Sequence, residues 1–520
     1  MRRQGPRLLP RRPDDPDAVP VQPRSHHPGA TVTPPDEHSR ADTAQAAPPP
    51  QCPAHAYGDG GVARLYGPAA EDDPMGLYEQ LRERHGAVAP VLLSGDVPAW
   101  LVLGYRENLD VTRTPSRFSR DSRIWRAMRE GRIGPEHPLA PIATWQPICS
   151  MADGQAHERW RGAINDSIGR FDRRGVRRHI TRFANELIDE FCATGTADLV
   201  HAFAEPLPMM VMTQLLGMHE EYSPELVQAA RDMIKGTETA VRSNAFVQAA
   251  LHRTVERKHR EPGADFTSWL LEHESKLSDE EVQQHLRLVL IAAFETTANL
   301  IANTLRMVLT DPRCRANLAG GHMTLPDAVE QTLWDEPPFI TILGRWATQD
   351  TELAGHRIRA GDALVLGLAA ANVDTAIRPD PTTPVHGNRS HLAFSGGAHE
   401  CPGQDIGRAI ADTGIDALIT RLPDVRLAVA ETELRWSSSL MSRHLVALPT
   451  QFTAAAPLPP DPPAPEDVPP VREEDGGAGG QTSAGDRATR VPAPPADEPS
   501  PAGRSRGTWW RSFVRWFRGE

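Results

Sequence analysis

The chain has 520 residues, is 39% hydrophobic and carries a formal net charge of −12, which allows a large buried core and argues against a general nucleic-acid binder. Its five cysteines, Cys52, Cys149, Cys192, Cys314 and Cys401, are odd in number and widely scattered, and no secretory signal precedes them. A cytoplasmic protein with reduced thiols is expected, and a disulfide-stapled fold is excluded.

In chain order, residues 1–56 are rich in Pro, Ala, Asp, Glu and Arg and poor in aromatic and β-branched residues, so they are expected to be disordered. Residues 57–453 read as one globular unit. It begins with an amphipathic helix in "DDPMGLYEQLRERHG", which has an acidic start, Pro74 in its first turn and Gly86 as its stop. The apolar runs "VAPVLLS" and "PAWLVLGY", separated by Gly95-Asp96, are expected to pair as a hairpin. Helical periodicity then dominates over Arg174–Cys192, Glu205–Gly217, Pro224–Arg260 and Asp279–Thr310. The last of these is apolar enough to suggest a membrane span. Glu295 near its centre, where a charge in lipid costs about 2.5–3.5 kcal/mol, makes a buried core helix the better reading. After Pro338 the pattern changes to short strands and turns, and a final helix is expected over Gln404–Leu422. The expected fold class is mostly α with a small, segregated β-sheet (α+β).

Residues 454–505 form a second Pro/Ala/Gly-rich, acidic stretch expected to be a disordered linker. The tail, 506–520, includes "GTWWRSFVRWFRGE" and reads as an amphipathic helix with Arg511, Arg515 and Arg518 on one side. It is too short to span a bilayer and suits a membrane surface or a partner groove.

"FSGGAHECPG", Phe394–Gly403, sets Cys401 in a glycine-rich loop just before a helix. A disulfide has no evident partner, a zinc site lacks further ligands at short spacing, and His399 is poorly placed to activate a nucleophile two residues away. A haem-iron thiolate meets the loop's properties. Its glycines permit close approach of a flat macrocycle, and the following helix offers its amide end to sulfur.

Phe394, Gly397, His399, Cys401 and Gly403 together resemble the Phe-x-x-Gly-x-His-x-Cys-x-Gly signature of the cytochrome P-450 haem-thiolate monooxygenases. Three further stretches resemble that family in the same order. His157 and Arg161 in "MADGQAHERWRGAI" stand one turn apart, where two cationic groups repel unless an anion lies between them. They match the helix that holds haem propionates, and Arg345 and His399 match two further propionate partners. Glu295-Thr296 in "AAFETT" matches the acid–alcohol pair that the family uses beside dioxygen to deliver protons, with Ala293 where glycine is more usual. The resemblance implies haem b (iron protoporphyrin IX), Cys401 as the metal ligand, a small apolar organic substrate, and electrons from an external ferredoxin and ferredoxin reductase. It places the substrate pocket between residues 119–150 and 203–247.

One departure stands out. The family's Glu-x-x-Arg helix reads "AVEQTLWDEPP" here, with Gln331 and Trp334 at the charged positions, and "RPDPTTPVHGNRSHLAF" lacks the Pro-x-Arg-Phe that completes the family's network. Loss of the whole set points to an accommodated alternative more than to decay, as in a subgroup of actinomycete members carrying Glu-Gln-Thr-Leu-Trp. The same departure, with the tail, supports a competing reading: a haem-binding interaction or signalling protein of a membrane-associated complex with little oxygenase activity.

Overall fold

The computed structural model describes residues 61–459 except 136, 219–222, 236–238, 381–384 and 386. The expectations for 1–56, for 460–505 and for the tail 506–520 lie outside the described residues. Residues 454–459, assigned to the linker on composition, run along the domain, where Ala455 N donates to Cys192 O at 2.9 Å and Leu458 N to Asp189 Oδ1 at 3.0 Å.

The expected helix, Pro74–His85, which follows a short one at Pro68–Asp72, is capped by the Asp73 carboxylate on Gly76 N and stops at Gly86, whose φ of 77° suits glycine. The expected hairpin forms from Val88–Leu93 and Val97–Val102, paired antiparallel with Leu93 opposite Val97. Asp96, in the turn, accepts from Arg64 and Tyr66 and fastens the chain start to the sheet. These strands belong to a six-stranded sheet in the order Ala63–Arg64, Val88–Leu93, Val97–Val102, Ala363–Leu366, Ile342–Ala347, Phe118–Ser119. Both faces are apolar, with Leu93, Leu101 and Val365 packing on one side and Val88, Trp100 and Leu364 on the other.

Apart from three smaller sheets, the rest is largely helical around Asp279–Thr310, the central helix. Ser278 and Glu281 close its first turn as a capping box. Leu286, Leu290, Phe294, Ile301 and Leu305 bury it in the main core against helices Pro206–Leu215, Ala240–Arg260 and Gln404–Arg421. Among the described residues it is the one helix long and apolar enough to cross a membrane, and the protein core takes that surface instead. Fold class and most helix bounds agree with the sequence reading. Pro224–Arg260 is corrected to two helices, Ser223–Lys235 and Ala240–Arg260. Before Pro206–Leu215 lies a π-helical turn, Val200–Ala204, which periodicity does not disclose.

Candidate functional site: a haem pocket

The cysteine loop is built by backbone geometry. Cys401 N donates to Phe394 O at 3.0 Å, closing the loop on itself. Gly397 has φ 68°, and a Cβ there would run into the Thr112 carbonyl oxygen, so glycine is required. Ser395 adopts φ 61°, a conformation that costs a non-glycine residue about 1 kcal/mol or more and that clusters at functional sites. The Gly403 amide, just before helix Gln404–Arg421, favours the charged form of the Cys401 sulfur. Burial pushes the Cys401 thiol up, while that amide and the Arg161 and Arg408 charges oppose the shift. Among the described residues Cys149, Cys192 and Cys314 are buried free thiols, and Cys401 is the partly exposed one.

Helix Gly154–Gly169 carries His157 and Arg161. Glu281 of the central helix holds it: Arg159 donates to both carboxylate oxygens, at 2.7 and 2.9 Å, and Trp160 Nε1 donates at 2.8 Å. The Arg159 bonds dominate and bring Glu281 down to about 2. His157 is 6% exposed, its Nε2 has no hydrogen-bond partner, and its ring lies 4.2 Å from that of His399. Arg161 reaches the Glu400 carbonyl oxygen, next to the cysteine. A cleft of about 430 Å³ opens here, lined by Asp153, His157, Arg161, Ala398 and His399.

Arg345 comes from strand Ile342–Ala347 and is 2% exposed. Its Nη1 donates to Gly344 O at 3.0 Å, and no carboxylate pairs with it among the described residues. Burial holds its pKa well below the ordinary arginine value, and the neighbouring Arg120 adds repulsion. Arg120 shares the same acceptor, with Nη1 on Gly344 O at 2.7 Å and Nε on Ser150 O at 2.6 Å. This packing depends on a bulge between Leu343 and Arg345 in which Gly344 takes φ 135°. A side chain there would collide with the Arg120 guanidinium.

Asp153 organises the cluster. Burial would raise its pKa, but His399 Nε2 at 3.1 Å, the Ser119 hydroxyl at 2.6 Å and the Arg120 amide at 2.8 Å outweigh that and hold it at about 2. His399 is brought down to about 4 by burial and by the nearby arginines and His157, against the pull of Asp153. Sequence reasoning missed Arg120 and Asp153. The signal was weak because nearly every basic residue in this chain is arginine, lysine occurring only at 235, 258 and 276.

On the other side, Glu295 and Thr296 lie in the partly exposed stretch of the central helix that also includes the exposed Ala292. Thr296 Oγ1 donates to Ala292 O at 2.7 Å. Glu295 Oε1 accepts from Ser442 Oγ at 2.7 Å, so the acid and the alcohol are held by different partners. Burial raises the Glu295 pKa and the Ser442 bond opposes it. The cysteine helix meets the central helix at Gly407, where a Cβ would lie 3.8 Å from Thr297 Oγ1. The residue after Thr296 thus faces the cysteine helix, which begins three residues after Cys401.

The departure from the Glu-x-x-Arg pattern has a structural answer. Gln331 donates to Asp335 at 2.6 Å and accepts from Val385 N, and Trp334 Nε1 donates to Asn388 O at 2.7 Å. The ionic brace sits one residue earlier. Glu330, 4% exposed, takes Arg408 Nε at 2.5 Å and His391 Nε2 at 3.0 Å. Arg408 in turn lies 4.5 Å over the Phe394 ring. The cysteine loop is therefore braced by a buried charge cluster, one that the sequence reading did not find.

The residues fit haem b. The orphaned His157 nitrogen, the buried Arg345 and the half-buried Arg120 suit two propionates, because the one carboxylate near both arginines, Asp153, is bonded to His399, Ser119 and the Arg120 amide and not to either guanidinium. A partly exposed thiol in a glycine-rich loop suits an iron ligand.

No protein-family model matches the chain. It is 31% identical over 402 residues to 2-hydroxy-5-methyl-1-naphthoate 7-hydroxylase of Streptomyces carzinostaticus, covering 74% of this chain and 96% of that one. It is 30% identical over 389 residues to mycinamicin IV hydroxylase/epoxidase of Micromonospora griseorubida, covering 72% and 94%. A solved myxobacterial cytochrome P450 in complex with myristic acid superposes with a TM-score of 0.67 at 28% identity, covering 75% of this chain and 98% of its own. Site geometry, sequence and fold agree: this chain belongs to the cytochrome P450 family of haem-binding monooxygenases.

Proposed function

We propose that the chain inserts one atom of dioxygen into a small, largely apolar organic substrate. In this reading Cys401 is the thiolate ligand of haem b, and Phe394, Gly397 and Gly403 shape its loop. His157, Arg161, Arg345 and His399 hold the propionates, joined by Arg120, and Glu295 and Thr296 handle protons on the opposite side. The observation that carries the proposal is the convergence of Arg120 and Arg345 on one carbonyl oxygen, with no carboxylate bonded to either guanidinium among the described residues. Hydroxylation of a methylnaphthoate, hydroxylation or epoxidation of mycinamicin IV, and bound myristic acid, as named for the similar proteins, support the substrate class.

Bound haem supplies the iron at which dioxygen is activated, with a thiolate ligand favouring O–O cleavage. Around it the chain's own residues have separate tasks. The Gly403 amide on Cys401 Sγ favours the thiolate. Arg120 and Arg345 attract carboxylates that offset their mutual repulsion. Thr296, its hydroxyl hydrogen on Ala292 O, keeps oxygen lone pairs free to accept from a donor in the pocket. Glu295, with its pKa raised by burial, holds a proton more readily near neutrality than an exposed carboxylate does, as proton delivery requires. On the pocket side, Arg287 ties together the two segments assigned to substrate, bonding Gln146 at 3.5 Å and Asn244 at 3.1 Å.

The finer points belong to the same proposal. Electrons come from an external ferredoxin and its reductase. The chain is cytoplasmic, with residues 506–520 suited to a membrane surface or partner. The Glu-Gln-Thr-Leu-Trp form of residues 330–334 marks a subgroup in which neutral, hydrogen-bonded side chains replace the usual charges. The competing signalling reading leaned on a missing ionic network, and the Glu330 cluster removes that support.

The test is turnover of fatty-acid, steroid and polyketide-like substrates with a ferredoxin system under isotopically labelled dioxygen. A product carrying one labelled oxygen atom is expected. Absence of label from every product, or no product despite full haem loading, would contradict the proposal.

A further inference from the structure

The Glu295 carboxylate is connected to the protein surface. Where the central helix meets the hairpin of Trp436–Ser438 and Arg443–Leu445, Ser442 Oγ donates to Glu295 Oε1 at 2.7 Å. Ser442 is 2% exposed. Its hydroxyl lies 3.2 Å from that of Ser439, an exposed residue at the hairpin tip.

This turn is rigidly placed. Ser439 N donates to Ser442 O at 2.8 Å, and Ile340 N and Thr341 N both donate to Met441 O. Ser439 Oγ accepts from Met441 N at 3.3 Å and Ser442 N at 3.1 Å. With both amides on its lone pairs, the Ser439 hydrogen is left for Ser442, whose hydroxyl lies at 3.2 Å and whose carbonyl oxygen lies at 3.4 Å. The Ser442 hydrogen in turn points at Glu295. Ser439 Oγ, Ser442 Oγ and Glu295 Oε1 thus stand in one line of hydrogen-bond distances from the exposed tip to the acid.

We propose that Ser439 and Ser442 form a proton wire that recharges Glu295 from solvent, with Ser442 as its positioning residue. The inference rests on the reading that Glu295 and Thr296 handle protons. After Glu295 gives up a proton toward the pocket, the Ser442 O–H bond breaks as its proton passes to Oε1. A new O–H bond forms on Ser442 with the proton from Ser439, and surface water, taking the place of the longer Met441 amide contact on Ser439 Oγ, gives that oxygen a proton and is left as hydroxide. One proton enters from solvent per cycle, and rotation of the two hydroxyls returns their hydrogens to the starting direction. Among the described residues no charged side chain competes for Glu295. Arg443, next along the hairpin, is directed to the Trp436 ring at 4.0 Å and is influenced by Glu336.

The experiment compares haem-loaded wild type with Ser442→Ala, Ser442→Thr, Ser439→Ala and Glu295→Gln. It reads the fraction of electrons recovered as product, the solvent deuterium isotope effect on that yield, and the infrared titration of the carboxyl band lost in Glu295→Gln. Ser442→Ala should cut coupled yield several-fold, toward that of Glu295→Gln, and move the band's titration to higher pH, because the hydroxyl favours the charged carboxylate. Ser442→Thr should restore both. Ser439→Ala should lower the yield while leaving the titration near that of wild type. Wild-type yield and isotope effect in Ser442→Ala, with Glu295→Gln impaired, would overturn the wire and leave the role of Glu295 standing. Wild-type behaviour of Glu295→Gln would overturn both. Should Ser442→Ala lose its fold, Ser442→Thr and Ser439→Ala decide on the same readouts.

Discussion

Arg120 and Arg345 donate to the same oxygen, the carbonyl of Gly344, at 2.7 and 3.0 Å. Two like charges on one acceptor, Arg345 buried and Arg120 half-buried, are only partly offset by the nearby Asp153 and favour further anions. Arg120→Ala is therefore expected to speed haem transfer from the holoprotein to a haem-accepting apoprotein several-fold, and Arg345→Ala to speed it further. Transfer at the wild-type rate in Arg120→Ala would remove it from the propionate site.

Glu330 is the centre of the brace behind the cysteine loop. Burial alone would raise its pKa, but the bonds from His391 and Arg408 prevail and hold it below the ordinary value. A depressed folded-state pKa gives stability that is present above the unfolded value of about 4.3 and lost as pH falls through the folded value. Glu330→Ala leaves Arg408 buried without its counter-charge and should cost about 3–5 kcal/mol at neutral pH. Its denaturation midpoint should also fall less steeply than that of wild type as pH drops below about 4. Urea midpoints across that range check both parts.

Restoring the more familiar motif residue should do harm. Trp334 packs edge-on to His391 at 5.9 Å, bonds Asn388 O, and lies beneath Arg378, whose Cζ is 5.9 Å from its ring centre. Trp334→Arg would bury a second guanidinium beside Arg378 and is expected to destabilise by about 3 kcal/mol. An unchanged thermal midpoint would show that this helix still accepts the usual charge.

Gly397→Ala meets both a left-handed φ of 68° and the Thr112 carbonyl oxygen. It should displace the cysteine loop, lowering haem content more than it lowers the midpoint of the haem-free protein. Equal losses in the two would mean that the glycine serves the fold and not the loop.

Much of the site was legible because chemistry and spacing coincide there. A glycine-rich loop around Cys401, the His157–Arg161 turn and the Glu295-Thr296 pair are local patterns, and the structure brings the first two together where Arg161 reaches Glu400 O and the His157 ring lies on that of His399. What was not legible is non-local. Glu330 meets His391 and Arg408 across 61 and 78 residues, and Ser442 reaches Glu295 across 147. No sequence periodicity marks such pairs. The Gly344 bulge that brings Arg120 beside Arg345 is a one-residue register shift, invisible until the strands are paired.

The measurement that tests the central claim most directly is the reduced, carbon-monoxide difference spectrum of the haem-loaded protein beside Cys401→Ala. The account predicts the red-shifted Soret band of a thiolate-ligated complex in wild type and its loss in the variant. A wild-type spectrum of the protonated-thiol or nitrogen-ligated kind, or a thiolate band that survives in Cys401→Ala, would contradict it.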